Sequence, residues 1–384
     1  MNRTDGIEKV DQPIYLLPRD HKLHGGELYE FTGYKEWQYF TAFVKDVNTR
    51  EDLSLFYTFF RLMWNPGTKR CIHWSPLTMG NSTKRIFSGT SALYDAPIEA
   101  EILSSSPGTL SFRYGCKGKT VGEVYYSSEE EKWRFLLKKV KDATGPAADL
   151  DMTMRVKRPG YCPATQTGVE AQGSPKGFGD NTYNPETVFG LSYYYYAPTC
   201  DIEGRVSIGD QKHNVKGEAW FEHQWGNYGT ADFMGHAYIW LWFGLDDGTK
   251  FSCRYWTLPV TFEPVTRFNR SVYHTPEGQV QYFQGSDAVK ISVLRHWASP
   301  ASGLRYPISL LLETPAGIFA LEPDFDEQEA YIPHADTYLW EGACRVRRGS
   351  LDGPVVGKAY LELPPGAKES LQAKVLNKPY AMKR

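Results

Sequence analysis

Apolar and polar residues alternate in short runs along most of the chain, and Gly, Pro, Asn or Asp interrupts these runs. Alternation with a period of two is typical of β-strands that bury one face. The pattern predicts strands over 38–44, 53–64, 110–114, 188–197, 218–225, 237–245, 250–258, 289–294, 308–313 and 359–363. We therefore expect an all-β protein of antiparallel strands.

Two segments depart from this pattern. Residues 128–140 carry four apolar side chains at helical spacing, which is compatible with either a helix or a hairpin. Residues 143–186 are rich in Gly, Pro and small polar side chains. This composition predicts a long loop, and loops of that length inside a domain are usually functional or mobile.

Length and composition narrow the possible functions. A chain of 384 residues is long enough for two domains. Aromatic residues make up 15% of it, and an aromatic-rich β protein often encloses an apolar ligand. The formal net charge of −2 provides no basic surface for nucleic acid or for an anionic membrane. We expect a hydrophobic small molecule as the partner, with no nucleic acid and an unassigned oligomeric state.

Several kinds of site are missing from the sequence. It has no P-loop, no dinucleotide-binding glycine motif, no nucleophile elbow and no HExxH zinc motif. His21 and His24 have metal-ligand spacing but no third ligand nearby. The six cysteines are scattered without a CxxC pair, which favours buried free thiols. We expect no cofactor and no metal.

The N-terminal sequence bears on the cellular localisation of the protein. Residues 1–22 are polar and lack the basic-then-apolar pattern of a secretion signal, and no stretch of 18 apolar residues follows. The sequence therefore predicts a cytoplasmic protein without a membrane span, secreted only if a signal had been removed.

The most informative stretch is 215–228, VKGEAWFEHQWGNY. On a strand, Phe221, His223 and Trp225 share one face, and Glu222 and Gln224 share the other. Imidazole gives and takes protons near neutral pH. His223 is therefore the predicted proton donor, supported by Trp225, and a structural histidine at the strand end is the alternative.

Other strands carry rows of aromatic side chains. Tyr238, Trp240 and Trp242 share one face of the predicted strand 237–245, and Trp37 and Tyr39 share a face near the N-terminus. The hydroxyl group of a buried Tyr and the indole N–H of a buried Trp usually have a hydrogen-bond partner. We expect these rings to line a pocket, with Tyr39 and Tyr238 as further catalytic hydroxyl groups. Further substrate-binding candidates are Tyr194, Tyr196 and Arg254, the last of which could instead form a structural ion pair.

Motifs along nearly the whole chain resemble one known family. They are Asp20-His21 with His24, Glu36-Trp37-Gln38-Tyr39-Phe40, Tyr193-Tyr194-Tyr195, the box from Gly217 to Gly226, Leu245-Asp246-Asp247-Gly248, Trp340-Glu341-Gly342-Ala343 and Gly357 to Leu363. The set resembles the AttH/carotenoid-hydratase-like lipocalin family, which includes fungal Diels–Alderases. Two positions depart from its pattern, because Glu222 stands where Asp is usual and Gln38 replaces a second Trp.

The resemblance implies two tandem lipocalin-like β-barrel or sandwich domains, over 14–228 and 229–384, with the 217–226 box closing the first. It implies a pocket within or between them, lined by the Trp37, His223 and Trp240 strands. Family members act on hydrophobic polyenes without a nucleotide or redox cofactor: some hydrate isoprenoid double bonds, and others catalyse pericyclic ring closure. Residues Trp340, Glu341, Tyr360 and Glu362 are expected to be framework of the second domain.

Physical requirements separate these chemistries. Hydration of an alkene needs an acid, and Glu36 and Glu222 are expected on the faces opposite the rings. A cycloaddition mainly needs a substrate held in one reactive conformer, which can supply roughly 7–11 kcal/mol, together with one hydrogen bond. The sequence therefore predicts a cofactor-free cyclase of the pericyclase type, acting on a polyene, polyketide or terpenoid intermediate of secondary metabolism. The alternatives are an isoprenoid or carotenoid hydratase and a non-catalytic carrier of a lipophilic ligand.

Overall fold

The computed structural model describes residues 35–65, 70–97, 101–104, 109–116, 119–127, 129–140, 145–158, 169–171, 191–226, 237–257, 264, 269–332 and 337–363. Most of these residues lie in antiparallel strands, together with a short 3-10 helix at Gly285–Asp287. The chain divides into two compact units, and each contains one curled sheet. The all-β prediction is confirmed.

The described part of the first unit forms a 12-stranded antiparallel sheet. Its strands are β1 (Lys35–Asp46), β2 (Asp52–Asn65), β3 (Arg70–Asn81), β4 (Ile86–Pro97), β5 (Glu101–Ser104), β6 (Thr109–Cys116), β7 (Lys119–Ser127), β8 (Lys132–Val140), β9 (Ala148–Val156), β10 (Val169–Ala171), β11 (Leu191–Ile208) and β12 (Gln211–Gly226). The spatial order is β4-β3-β2-β1-β12-β11-β9-β8-β7-β6-β5, and β10 pairs with β11. The first strand of the unit therefore pairs with its last.

The second unit forms a 10-stranded antiparallel sheet from the residues that are described. Its strands are β13 (Ala237–Leu245), β14 (Lys250–Thr257), β15 (Arg270–His274), β16 (Val280–Gln284), β17 (Lys290–Ala298), β18 (Arg305–Thr314), β19 (Gly317–Pro323), β20 (Glu329–Ile332), β21 (Thr337–Arg348) and β22 (Val355–Leu363). The order is β16-β15-β14-β13-β22-β21-β19-β18-β17, with β20 beside β21. Here too the first strand pairs with the last.

One face of each sheet carries an apolar core. In the first unit the rings of Trp133 and Phe221 lie 4.8 Å apart and are buried with Phe135. In the second unit the rings of Phe243 and Phe319 lie 5.2 Å apart. Full burial of such a side chain contributes about 1.5–3 kcal/mol, so the alternating apolar residues drive the assembly of both sheets.

The segment 128–140 is a hairpin arm rather than a helix. Its residues Lys132–Val140 form β8, which pairs with β7 on one side and with β9 on the other. Trp133, Phe135 and Leu137 alternate with less buried residues and enter the core. The period of two therefore prevails over the helical spacing that the same segment contains.

The predicted loop over 143–186 is wrong for residues 148–156, which form β9. Leu150, Met152 and Met154 point into the core at alternate positions. The Gly and Pro residues on both sides concealed this short alternation in the sequence. Residues 169–171 form β10, and most of the remaining segment lies outside the described residues.

Three further expectations concern boundaries, thiols and membranes. The boundary predicted between 228 and 229 falls in residues 227–236, which are not described, and it stays a prediction. Cys200, Cys253 and Cys344 are buried free thiols, as predicted. No helix among the described residues is long and apolar enough to cross a membrane.

Both pairings of first and last strands contain a glycine at a point of close backbone approach. A Cβ atom on Gly217 of β12 would lie 2.0 Å from the carbonyl oxygen of Phe43 in β1. A Cβ atom on Gly357 of β22 would lie 2.2 Å from the carbonyl oxygen of Gly244 in β13. These strands can therefore approach each other at these points only where a side chain is absent.

We expect Gly217→Ala to lower the free energy of unfolding by about 1–3 kcal/mol, because the new methyl group meets backbone atoms that cannot move independently. Urea denaturation monitored by tryptophan fluorescence measures the change. The matched control is Gly89→Ala, where a Cβ would meet its nearest neighbour, the methyl group of Thr78, at an ordinary 3.6 Å. Equal stability of the two variants would contradict this account of the β1–β12 pairing.

Candidate functional site

The register between β1 and β12 decides which side chains of the first unit share a face. Gln38 lies directly opposite His223, and Tyr39 lies directly opposite Glu222. Directly opposed residues of antiparallel strands point to the same face of a sheet. His223 therefore lies on the face that carries the core, and Tyr39 lies on the opposite face.

This register corrects two expectations. Trp37 shares the face of Tyr39, whereas Trp225 shares the core face with His223, so the two aromatic pairs do not line one pocket as predicted. Glu36 lies directly opposite Trp225 and therefore on the face of His223, not away from it. Each strand alternates as predicted, but the sequence does not contain the register that relates one strand to the other.

On the core face, both ring nitrogens of His223 have polar neighbours. Its Nε2 lies 3.0 Å from Oε1 of Glu36, and its Nδ1 lies 3.3 Å from the hydroxyl of Tyr195. The rings of His223 and Trp225 lie 4.6 Å apart. His223 and Glu36 are both 0% exposed. With Glu36 ionised, Nε2 carries the proton and Nδ1 accepts a hydrogen bond from Tyr195.

On the opposite face, Glu222 is held by two donors. Its Oε1 accepts hydrogen bonds from Nε1 of Trp220 at 2.8 Å and from the hydroxyl of Tyr194. Tyr196 stacks on Trp220 with ring centroids 4.4 Å apart. Two donors on one oxygen hold the carboxyl group in a fixed orientation. Glu222 therefore lies on the face opposite His223, as alternation predicts, but this face also carries rings.

The N-terminal rings extend this face. Trp37 stacks on Phe60 with centroids 5.0 Å apart and planes 9° apart, and Tyr39 packs against Phe56 at 5.8 Å. Tyr39 is 6% exposed. The predicted substrate-binding residues Trp37, Tyr194 and Tyr196 thus share one aromatic face with Tyr39.

In the second unit, four residues form a row across four neighbouring strands. Arg254 of β14 lies opposite Trp240 of β13, which lies opposite Glu362 of β22, which lies opposite Glu341 of β21. We call these four residues the polar row. Tyr238 lies on the same face of β13 as Trp240, so a phenol shares this face with the indole, the guanidinium group and the two carboxyl groups of the row.

The predicted faces of β13 are confirmed. Ile239, Leu241 and Phe243 belong to the core, whereas Trp240 and Trp242 lie on the other face. These two tryptophans are nevertheless only 5% and 1% exposed. Both faces of the strand are buried, so polar groups on the Trp240 face work in surroundings of low dielectric constant.

Tyr238 and Glu362 form a phenol–carboxyl pair. The Tyr238 hydroxyl donates a hydrogen bond to Oε1 of Glu362. Burial, followed by the charge of Glu362, raises the pKa of Tyr238 well above its ordinary value. Burial also raises the pKa of Glu362, although the hydrogen bond from Tyr238 and the charge of Arg254 work against that rise.

Glu341 has different surroundings. It is 2% exposed, and neither carboxyl oxygen has a hydrogen-bond partner among the described residues. Burial, followed by the negative charge of Glu362, raises the pKa of Glu341 well above its ordinary value. The Tyr360 hydroxyl moderates this rise without reaching hydrogen-bond geometry. These surroundings favour the protonated form of Glu341 at neutral pH.

Arg254 and Trp242 are placed by charge as well as by packing. Arg254 lowers the pKa of Glu362 and opposes the rise in the pKa of Tyr238. This electrostatic interaction favours a structural ion pair for Arg254 over a role in binding substrate. Nζ of Lys250 lies 5.7 Å from the ring centroid of Trp242, within the range of a cation–π contact.

Glu341 and Glu362 were predicted as framework, yet they lie beside the predicted site. Their positions contain a signal that could have found them. Glu362 lies between Leu361 and Leu363, both of which are core residues, and Glu341 follows the core residue Trp340. Alternation along a strand places each glutamate on the face opposite the core, which in this unit is the face of Trp240.

Within the described ranges, no group of three or more His, Cys, Asp or Glu side chains is arranged to hold a metal ion. His21 and His24 lie outside those ranges. The absence of a metal and of a cofactor stays a prediction.

Several solved structures share this architecture. The AttH-type protein NE1406 from Nitrosomonas europaea matches with a TM-score of 0.70 and 18% identity, over 91% of this chain and 96% of that one. Kievitone hydratase from Nectria haematococca matches with a TM-score of 0.58 and 14% identity, over 92% and 95%. CghA in complex with Sch210972 matches with a TM-score of 0.51 and 11% identity, over 88% and 89%. At these identities the similarity establishes the fold.

Comparisons of the sequence assign the chain to a family. No curated protein sequence matches the chain significantly. The model of the AttH-like family, however, matches residues 9–366, which include both sheets. The resemblance inferred from the motifs is therefore confirmed, and the chain belongs to the AttH-like family.

Proposed function

We propose that the protein is an enzyme that adds water to a carbon–carbon double bond of an apolar isoprenoid or polyene substrate. The observation that carries this proposal is the polar row, in which two buried carboxyl groups share a face with Trp240, next to the half-buried phenol of Tyr238. Kievitone hydratase, which is named for a hydratase activity, shares the fold and supports the same reading.

Hydration of an unactivated double bond needs a proton donor, a means of stabilising positive charge and a water molecule. A carboxyl group that is protonated at neutral pH is a suitable donor. The faces of Trp240 and Trp242 can stabilise a developing carbocation by cation–π attraction, each by about 0.5–2 kcal/mol. The low exposure of these rings keeps competing water away and strengthens the electrostatic interactions.

The carboxyl groups reverse the preference that the sequence indicated. A cyclase was favoured because Glu36 and Glu222 were expected on faces away from the rings. Instead, Glu222 lies among the rings of the first unit. In the second unit Glu362 lies beside Trp240, and Glu341 lies one strand further along the same face. Carboxyl groups and rings therefore share a face in both units, as hydration requires.

A cofactor-free cyclase of the pericyclase type is the second candidate. The aromatic face around Glu222 favours it, because Tyr196 stacks on Trp220 and Trp37 stacks on Phe60. Rigid aromatic walls suit a polyene, polyketide or terpenoid substrate that must be held in one reactive conformer. Such walls need no acid for a cycloaddition.

Incubation of the purified protein with a prenylated phenol or a linear isoprenoid alkene in ¹⁸O-labelled water separates these reactions. We expect a product heavier by one water, with the label in its new hydroxyl group. We expect Glu362→Gln to lower kcat at neutral pH, because the row loses the negative charge that favours the protonated form of Glu341. Glu313→Gln, at an exposed carboxyl group outside the row, is the matched control with unchanged kcat.

The other outcomes have definite meanings. A cyclic isomer of unchanged mass would support the cyclase and contradict the hydratase. Saturable binding without turnover across the substrate panel would leave the carrier as the remaining function.

His223 was predicted to be the proton donor, and this stays a prediction. Its surroundings favour the structural alternative, because both ring nitrogens have partners within a fully buried cluster. Removing one member of a buried charged or hydrogen-bonded pair leaves the other without compensation.

We expect His223→Ala to lower the free energy of unfolding by about 3–5 kcal/mol, because Glu36 stays buried without its partner. Chemical denaturation measures this change, and kcat is compared per folded molecule at a temperature where the variant remains folded. Glu36→Gln is the companion variant, which retains a hydrogen-bonding side chain. A His223→Ala protein with undiminished stability and no turnover would show that His223 is catalytic.

A further inference from the structure

The two carboxyl groups of the polar row lie on directly opposed positions of neighbouring strands. Glu341 of β21 pairs with Glu362 of β22. Directly opposed side chains in an antiparallel sheet have Cβ atoms about 4.5–5.5 Å apart. Carboxyl groups on side chains whose Cβ atoms are this close interact, and they would repel each other if both were ionised.

The surroundings assign different roles to the two groups. Glu362 accepts a hydrogen bond from Tyr238 and interacts with the positive charge of Arg254. Both contacts favour its ionised form. Glu341 is almost fully buried, and its carboxyl oxygens have no hydrogen-bond partner among the described residues. An isolated charge in such a place is costly, so the proton that the pair retains resides on Glu341.

We propose that Glu341 and Glu362 form a dyad that holds one proton, with Glu341 as the donor to the substrate's double bond and Glu362 as its ionised partner. This proposal rests on the proposed hydratase function, and it names the group that supplies the proton. Tyr238 and Arg254 are positioning residues in this arrangement, because they act through Glu362.

The reaction step balances without an oxidant or a reductant. The O–H bond of Glu341 breaks, and the π electrons of the alkene form a new C–H bond with that proton. The other alkene carbon becomes a carbocation beside Trp240. A water oxygen then bonds to this carbon, and the proton that the water loses returns to the carboxylate of Glu341. The net change is the addition of one water.

The charged and titratable groups that face Glu341 define the pH dependence. Glu362 and Tyr360 on β22 and Tyr238 on β13 act on Glu341 directly, whereas Arg254 on β14 acts on Glu362 and Tyr238. Glu362 raises the pKa of Glu341 by charge repulsion, after the larger effect of burial. Removal of the Glu362 charge is therefore expected to lower the pKa of Glu341 without removing its burial.

Infrared spectroscopy tests the dyad without any substrate. A protonated carboxyl group has a carbonyl band that is separate from carboxylate bands and shifts in D₂O. We expect the protein to show such a band at neutral pH, E341Q to lose it, and the control E313Q to retain it. In E362Q the band should remain but titrate away at lower pH. An unchanged band in E341Q would overturn the proposal.

Kinetics test the donor role in the wild-type protein and its variants. The rate should fall at high pH as the donor loses its proton, and E362Q should move that fall to lower pH. We expect E341Q to lower kcat at least 100-fold with little change in KM. The titration of E362Q provides this test even if E341Q folds poorly.

Spectroscopy and kinetics together distinguish an incorrect donor assignment from an incorrect hydratase assignment. Hydration that persists with full kcat in folded E341Q would overturn Glu341 as the donor while leaving the hydratase intact. A Glu341 band without water addition to any isoprenoid alkene would overturn the hydratase and, with it, the donor role, but not the protonation of Glu341.

Discussion

The pairing of the first and last strands in each unit is the constraint on which the sites depend. β1 pairs with β12 and β13 pairs with β22, and in each pairing a glycine allows the two backbones to approach closely. This register places Glu36 beside His223 in one unit and Glu362 beside Trp240 in the other. A slip of one residue would move every such side chain to the other face.

Burial makes the properties of the glutamate carboxyl groups depend on their immediate neighbours. Glu222 accepts two hydrogen bonds on one oxygen, Glu362 accepts one and interacts with Arg254, and Glu341 has no partner among the described residues. In water these groups would titrate alike. In the interior, the number of donors and the neighbouring charges determine how strongly each carboxyl group favours its protonated form.

Much of the local structure could be predicted from the sequence, because alternation determines which side chains share the face of a strand. The faces of β13 and the separation of His223 from Glu222 are examples. The relation between strands far apart in sequence could not be predicted. His223 and Glu36 are 187 residues apart, and only the register brings them together. Glu341 and Glu362 lie in motifs typical of framework, and only their alternation with the core residues Trp340, Leu361 and Leu363 indicates the face of Trp240.

The same pairing has a consequence for chain connectivity. Lys35, which begins β1, lies opposite Gly226, which ends β12, so the two ends of the first sheet are adjacent. A short linker could join these ends, and new termini could open at the exposed turn after Asp46 without changing any strand neighbour. The covalent order of the strands is therefore separable from their spatial order, which makes the first unit a natural scaffold for circular permutation.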